Sequence, residues 1–291
     1  MRTVMLAFVG TALLAPAAQA DPCARCDEWN KPHAPFKIYG NTYYVGTAEI
    51  SSILIVSDKG HVLIDGVNPR SPAQIAANIK ALGFKIEDVR LILNTHVHYD
   101  HAGGIAELKR MSGATVKASP QSAAVLTTGK PSSDDPQHDT AESFAPVANV
   151  GTFEDGEVLR VGPLALTAHF TPGHTPGGTS WTWDSCEGTR CLHIAYLDSL
   201  NAVSSPNFKF SSSPSYPNVL SDFEHSFTVV SALPCDIGLA DHPDNGDFWE
   251  RLDRREHGNP NALIDSTFCR RYAESSEARL EKRLAEERGH K

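Results

Sequence analysis

Short apolar runs separated by polar turns come first. "NTYYVG", "ISSILIVSD" and "GHVLIDG" are β-branched or aromatic runs, and "SDKG" between the last two carries turn chemistry, which predicts two or three antiparallel strands. A helical period follows. In "SPAQIAANIKALGF", Ser71 is placed as N-cap, Pro72 at the first helical position and Gly83 as a stop, with Ile75, Ile79 and Leu82 as a buried face. "VRLILNTH" reads as a buried strand, "GGIAELKRMSG" as a helix, "ATVKAS" as a strand and "QSAAVLTTG" as a helix. Residues 131–149, "PSSDDPQHDTAESFAPVAN", have no period, and a loop of that length in a compact domain reads as a lid.

From residue 150 the strands resume in "TFEDGEVLRVGPLALTAHF", "TSWTWDS" and "LHIAYLDSL". "VLSDFEHSFTVVSAL" is predicted as a helix, "IGLADH" as a short strand, and two terminal helices close the chain. The last, "STFCRRYAESSEARLEKRLAEER", is expected to be solvated on one side. Strands and helices thus recur in two βα halves, approximately 21–149 and 150–291, of one domain. The expected fold class is α/β: a four-layer αββα sandwich of two mixed sheets with helices on both outer faces.

Residues 1–20 change the picture of where the protein works. Arg2, the run "VMLAFVGTALLA" and Ala18-Gln19-Ala20 form a signal-peptide pattern. The run falls short of the roughly 20 apolar residues a membrane helix needs. Export to the periplasm, with Asp21 as the mature start and no membrane association afterwards, is the expectation. The formal charge of −9 and the absence of a basic block exclude attraction to nucleic acid or an anionic membrane. A monomer is expected.

Six cysteines in an exported chain favour disulfides over metal thiolates. Cys186 and Cys191 bracket "EGTR" between two strand-like runs, so a bridge across a hairpin end is expected. Cys235 and Cys269 form a candidate long-range pair. Cys23 and Cys26 form a CxxC, read as a small terminal disulfide, with zinc or redox use as the alternative.

The candidate chemistry lies in "NTHVHYDHAGG". His96, His98, Asp100 and His101 crowd the end of an apolar strand, where open sheets commonly place ligands. His96 and His98 alternate by two and can point the same way in extended backbone. Gly103 and Gly104 are expected to let the chain turn into a helix. His174 in "TPGHTPGG" and His242 in "GLADHP" occupy matching strand-end positions. His61, His138, His169, His193 and His225 have no such setting. Nitrogen and carboxylate donors with open positions suit catalytic zinc, whose bound water has its pKa lowered to about 7.

"HVHYDH", "TPGHTPG" and "GLADHP" together resemble the metallo-β-lactamase superfamily over nearly all of residues 21–291, and subclass B3 zinc β-lactamases within it. The resemblance implies two Zn2+ ions, the first held by His96, His98 and His174 and the second by Asp100, His101 and His242. It implies a β-lactam substrate opened by a zinc-bound hydroxide that Asp100 orients, with Ser199 and Asn201 positioning the substrate carboxylate. In "AYLDSLNA", Ser199 is expected to approach the metals and Asp198 to face away. Lactone and thioester hydrolases of the superfamily, the alternative, would use Asp198 as a bridge. Asn201 stands where many B3 enzymes have Ser or Thr, and the lid reads "FAPV" where Pro-Pro is usual, which bears on the shape of the lid.

Overall fold

The computed structural model describes residues 23–289, so the signal peptide expected over residues 1–20 lies outside the described residues. The elements in chain order are α1 (Cys26–Trp29), β1 (Phe36–Tyr39), β2 (Thr42–Tyr44), β3 (Ile53–Ile55), β4 (His61–Ile64), α2 (Pro72–Ala81) and β5 (Val89–Leu93). They continue with α3 (Tyr99–Ala102), α4 (Ile105–Ser112), β6 (Thr115–Ala118), α5 (Pro120–Thr128), β7 (Val150–Thr152), β8 (Val158–Val161) and β9 (Leu164–Phe170). The rest are β10 (Thr179–Glu187), β11 (Arg190–Leu197), α6 (Val219–Ala232), β12 (Ile237–Ala240), α7 (Phe248–Glu256) and α8 (Phe268–Gly289).

Two mixed sheets form. The first runs β1-β2-β3-β4-β5-β6-β7 and the second β12-β11-β10-β9-β8. In the first, the strands up to β4 pair antiparallel and those from β4 to β7 parallel. In the second only β11 and β12 are parallel. β7 joins the first sheet, so that sheet draws one strand from beyond residue 149.

The continuous apolar runs of β3, β4 and β5 follow from cover on both faces. Ile53, Ile55, Ile64, Leu91 and Leu93 point into the space between the sheets, where they meet Leu166, Trp181, Ile194, Tyr196 and Leu239. Their neighbours Leu54, Leu63 and Ile92 point the other way, under Ile75 and Ile79 of α2 and Ile105 and Leu108 of α4. On the far side, Ala195 and Leu197 of β11 pack under Phe223, Phe227 and Val230 of α6 and Phe268 and Tyr272 of α8. Three apolar layers separate four structural ones, and the sandwich is αββα.

Some local expectations are corrected. The early antiparallel strands number four, because the chain reverses at Gly40 between "FKIY" and "TYY". Ser71 does not cap α2: its backbone is helical and its Oγ donates to Asn30 Oδ1 at 2.7 Å. Leu82 is half-buried rather than part of the core. All three expected disulfides are present: Cys23–Cys26, Cys186–Cys191 and Cys235–Cys269. Among the described residues no helix is long and apolar enough to cross a membrane.

Residues 131–149 carry no helix or strand. Their end is nonetheless anchored, because Phe144 and Val147 of "FAPV" are buried in the layer under α2, α4 and α5. Phe144 N donates to Gly129 O and Val147 N to Leu126 O. That departure from Pro-Pro therefore sits in packing, and the part of the lid facing the cleft is Gln137 to Glu142.

Candidate metal centre

β5, β9 and β12 run out at one edge of the sandwich, and each hands its chain to a histidine-bearing turn. There a cleft of about 560 Å³ opens, with His96, His98, Asp100, His174 and His242 in its lining beside Ser199 and Asn201. His101 is fully buried just beneath. His98 holds extended backbone at φ −75° and ψ 158°, so His96 and His98 face the same way, with ring centroids 4.9 Å apart.

Gly103 and Gly104 follow α3 for a reason other than the one expected. Both have ordinary helical φ/ψ, at −59°/−31° and −85°/−10°. What they lack is room: a Cβ would stand 2.4 Å from Tyr99 O at Gly103 and 2.1 Å from Gly66 O at Gly104. Close backbone approach, not a left-handed turn, requires glycine there.

The donors gather in two trios. The ligand atoms of His96, His98 and His174 lie within 4.8 Å of one another, with His98 Nδ1 and His174 Nε2 3.1 Å apart. His101 Nε2 and His242 Nε2 are likewise 3.1 Å apart, and Asp100 Oδ2 lies 3.5 Å from the first and 3.4 Å from the second.

The ring nitrogens that face away from the cleft are tied to acceptors. His96 Nδ1 donates to Asp198 Oδ1 at 2.9 Å, and His98 Nε2 to Asp135 Oδ2 at 3.0 Å. His174 Nδ1 donates to the Asn201 carbonyl at 2.7 Å, and His242 Nδ1 to the Glu49 carbonyl at 3.2 Å. An acceptor on one nitrogen keeps the proton there and leaves the other nitrogen with its lone pair. Four rings thus turn lone pairs inward at contact distance, an arrangement that repels itself without a cation. The donor set fits metal ions, and nitrogen and carboxylate donors without thiolate suit zinc.

Titration divides the rings into two pairs. Burial, then repulsion from His101, His98 and the neighbouring rings, holds His96 well below the usual imidazole range. Burial, then His98, lowers His174 to about 3. Burial also opposes charge on His98 and His101, but the carboxylates beside them, Asp135 and Asp100, outweigh it and raise both. Asp100 itself is buried, yet His101 and His242 hold it well below the carboxylate range.

Asp198 and Ser199 separate as neighbours in extended chain do. Asp198 is fully buried under His96, whereas Ser199 lines the cleft with Oγ accepting from Asn201 N and Nδ2 at 3.4 Å. The five histidines set aside in the sequence also stay apart from the centre. His61 packs on Phe84, His169 meets Thr182 Oγ1, His193 meets Asp184, His138 meets Ser132 O, and His225 is exposed.

Sequence reasoning missed several residues of the site. Asp65 is buried beneath the centre with φ 66°, where its carboxylate accepts from Thr95 N, Thr95 Oγ1 and Tyr196 OH at 2.7–2.9 Å. A non-glycine residue held in that region is a strained position of the kind found at functional sites. Asp241 is buried 3.8 Å from His96 Nδ1. Asp135, Gln137, Arg25, Trp29, Glu49 and Asp244 also surround the centre. An aspartate before a glycine ("IDG") and one before a histidine ("ADHP") are the only signals, and neither is specific.

Fold and donors together define an αββα protein with a cluster of donors suited to metal at the open edge of its two sheets. The chain belongs to the metallo-β-lactamase superfamily, whose family model matches residues 45–187. The Rm3 metallo-β-lactamase is similar in structure at 51% identity and TM-score 0.90, over 91% of this chain and 99% of that one. MEM-A1, a subclass B3 metallo-β-lactamase from a soil metagenome library, is 52% identical at TM-score 0.88, over 90% of this chain and 100% of that one. MIM-1 from Novosphingobium pentaromativorans is 41% identical at TM-score 0.85, over 90% and 93%. A hydroxyacylglutathione hydrolase of Rhodopseudomonas palustris (strain BisB5) is 30% identical over 131 residues, which is 45% of this chain and 42% of that protein. The chain thus spans less than half the length of the curated relatives it matches.

Proposed function

We propose that this protein is an exported zinc β-lactamase that opens the amide bond of β-lactam antibiotics, penicillins, cephalosporins and carbapenems among them. The observation that carries the reading is the trio His96, His98 and His174 beside the close set Asp100, His101 and His242, at and just beneath the floor of a cleft large enough for a bicyclic substrate. Similarity to subclass B3 enzymes over nine-tenths of the chain supports it. Three disulfides among the described residues support export, since such bonds persist in oxidising compartments.

His96, His98 and His174 would hold one zinc, and Asp100, His101 and His242 the other. Bound zinc supplies Lewis acidity and lowers the pKa of water. The chain does the rest. Asp100 is the one carboxylate that reaches the cleft among these rings, and it orients the attacking water by accepting its hydrogen. Ser199 and the Asn201 amide stand on one wall as partners for the substrate carboxylate. Water adds to the lactam carbonyl carbon, the C–N bond breaks, and the nitrogen gains a proton.

A lactone or thioester hydrolase needs Asp198 between the metals. In its place Asp198 sits behind His96 with its carboxylate on Nδ1, which favours the β-lactamase reading. The test is a panel of initial rates of the zinc-loaded protein on a penicillin, a cephalosporin, a carbapenem, a homoserine lactone and a glutathione thioester, with His96→Ala and His174→Ala as controls. β-Lactam turnover that both substitutions suppress, together with first-site zinc, is the expected outcome. Faster turnover of the lactone or thioester would overturn it.

A further inference from the structure

We propose that Asp135, in the lid, is a positioning residue for His98 and makes the lid part of the apparatus that holds the first metal. This rests on the metal-site reading given above. Asp135 is 3% exposed, and its two oxygens lie 3.0 and 3.3 Å from His98 Nε2. Its own orientation is fixed by Gln137 N, which donates to Oδ1 at 2.7 Å.

The carboxylate keeps the Nε2 proton in place and turns the Nδ1 lone pair toward His174 Nε2. His98 is the one ring of the first trio whose partner comes from the lid. His96 takes its partner from Asp198 at the end of β11, and His174 from the carbonyl of Asn201 in the loop that follows. That loop is clasped to the lid, because Ser205 N donates to Pro136 O at 2.9 Å and Ser205 Oγ meets Thr140 Oγ1 at 3.0 Å. Two donors of the first trio are therefore aimed from two loops that hold each other. The second trio has no lid partner: Asp100 and His101 ride on α3, and His242 is aimed by the Glu49 carbonyl. Movement of the lid reaches the first trio and spares the second.

The experiment is a zinc titration against a chromophoric chelator on the full chain after export processing, wild type beside Asp135→Asn and Asp135→Ala. Cobalt absorption spectra and melting of the metal-free proteins accompany it. Removing an outer partner of a metal-bound histidine typically weakens metal binding about 10–100-fold. Asp135→Ala is expected to show that loss at one site only, with a shifted cobalt spectrum. Asp135→Asn, whose amide oxygen can still accept, should fold and fall between the two. A merely structural role would lower the melting temperature and leave the affinity of the folded protein alone. Wild-type affinity in both variants, or equal weakening at both sites, would overturn the proposal while the metal site stands. Failure of the wild type to take up zinc would overturn both.

Discussion

Asp198 and Ser199 are neighbours with opposite duties. Burial, then repulsion from Asp241, pushes the Asp198 carboxyl well above the usual range, and its Oδ1 meets His96. Ser199 lies on the cleft wall with a neutral hydroxyl. Ser199→Ala is therefore expected to keep both metals and lower kcat/KM on β-lactams tenfold or less, since such a hydrogen bond is worth about 0.5–1.5 kcal/mol. Asp198→Asn should weaken the first metal about 10–100-fold and retain the second. Metal analysis beside rates decides it, and loss of both metals on changing Asp198 would restore the bridging-aspartate alternative. At this scale the gathering of the six side chains was legible, because histidines and an aspartate crowded at strand ends are uncommon. Their outer partners were not. Asn201 and Glu49 act through carbonyls, which every residue carries, and Asp135 sits in a polar stretch where an aspartate is ordinary.

Helix α8 shows what an element's start is worth. The Asp265 carboxylate accepts from Thr267 N at 2.9 Å, from Thr267 Oγ1 at 2.7 Å and from Arg271. Burial alone would raise it, but these hydrogen bonds and the guanidinium bring it down to about 2. A carboxylate depressed in the folded state stabilises above its unfolded pKa of about 4 and loses that contribution as pH falls toward 2. The group is partly exposed, so screening limits the effect to about 1 kcal/mol. Asp265→Asn should cost about that at pH 7 and progressively nothing between pH 4 and pH 2, read by denaturant melts across that range. An unchanged difference at pH 2 would contradict the assignment. Strand and helix positions were legible where both faces of a strand are covered, as in β3 to β5. The N-cap of α2 was not, because the partner of Ser71 is Asn30, far away in sequence.

At the scale of the whole molecule the centre ties both sheets together, since its donors come from the ends of β5, β9 and β12. Ligands that bind only the folded state stabilise it by mass action. Chelation should therefore lower the melting temperature, with zinc restoring it in a concentration-dependent way; a Tm indifferent to both would contradict a bound metal. The Cys235–Cys269 bridge joins the chain before β12 to α8, whose Tyr272 hydroxyl donates to the Asp198 carbonyl at 3.1 Å. Replacing both cysteines with serine is expected to cost about 2–5 kcal/mol, and less if the reduced chain keeps residual structure. Peptide mapping without reductant checks the pairing itself.

The sequence by itself determined the alternation of elements, the αββα class, the cysteine pairs and the six side chains that gather at the strand ends. Each is carried by periodicity or by residue types with few other uses. Only the tertiary structure decided which ring nitrogen of His96, His98, His174 and His242 meets an acceptor and which is turned inward, why Gly103 and Gly104 must be glycine, and that Asp135 of the lid meets His98 Nε2. Those depend on distances between residues far apart in the chain, and hydrogen bonds of that kind leave no period in the sequence.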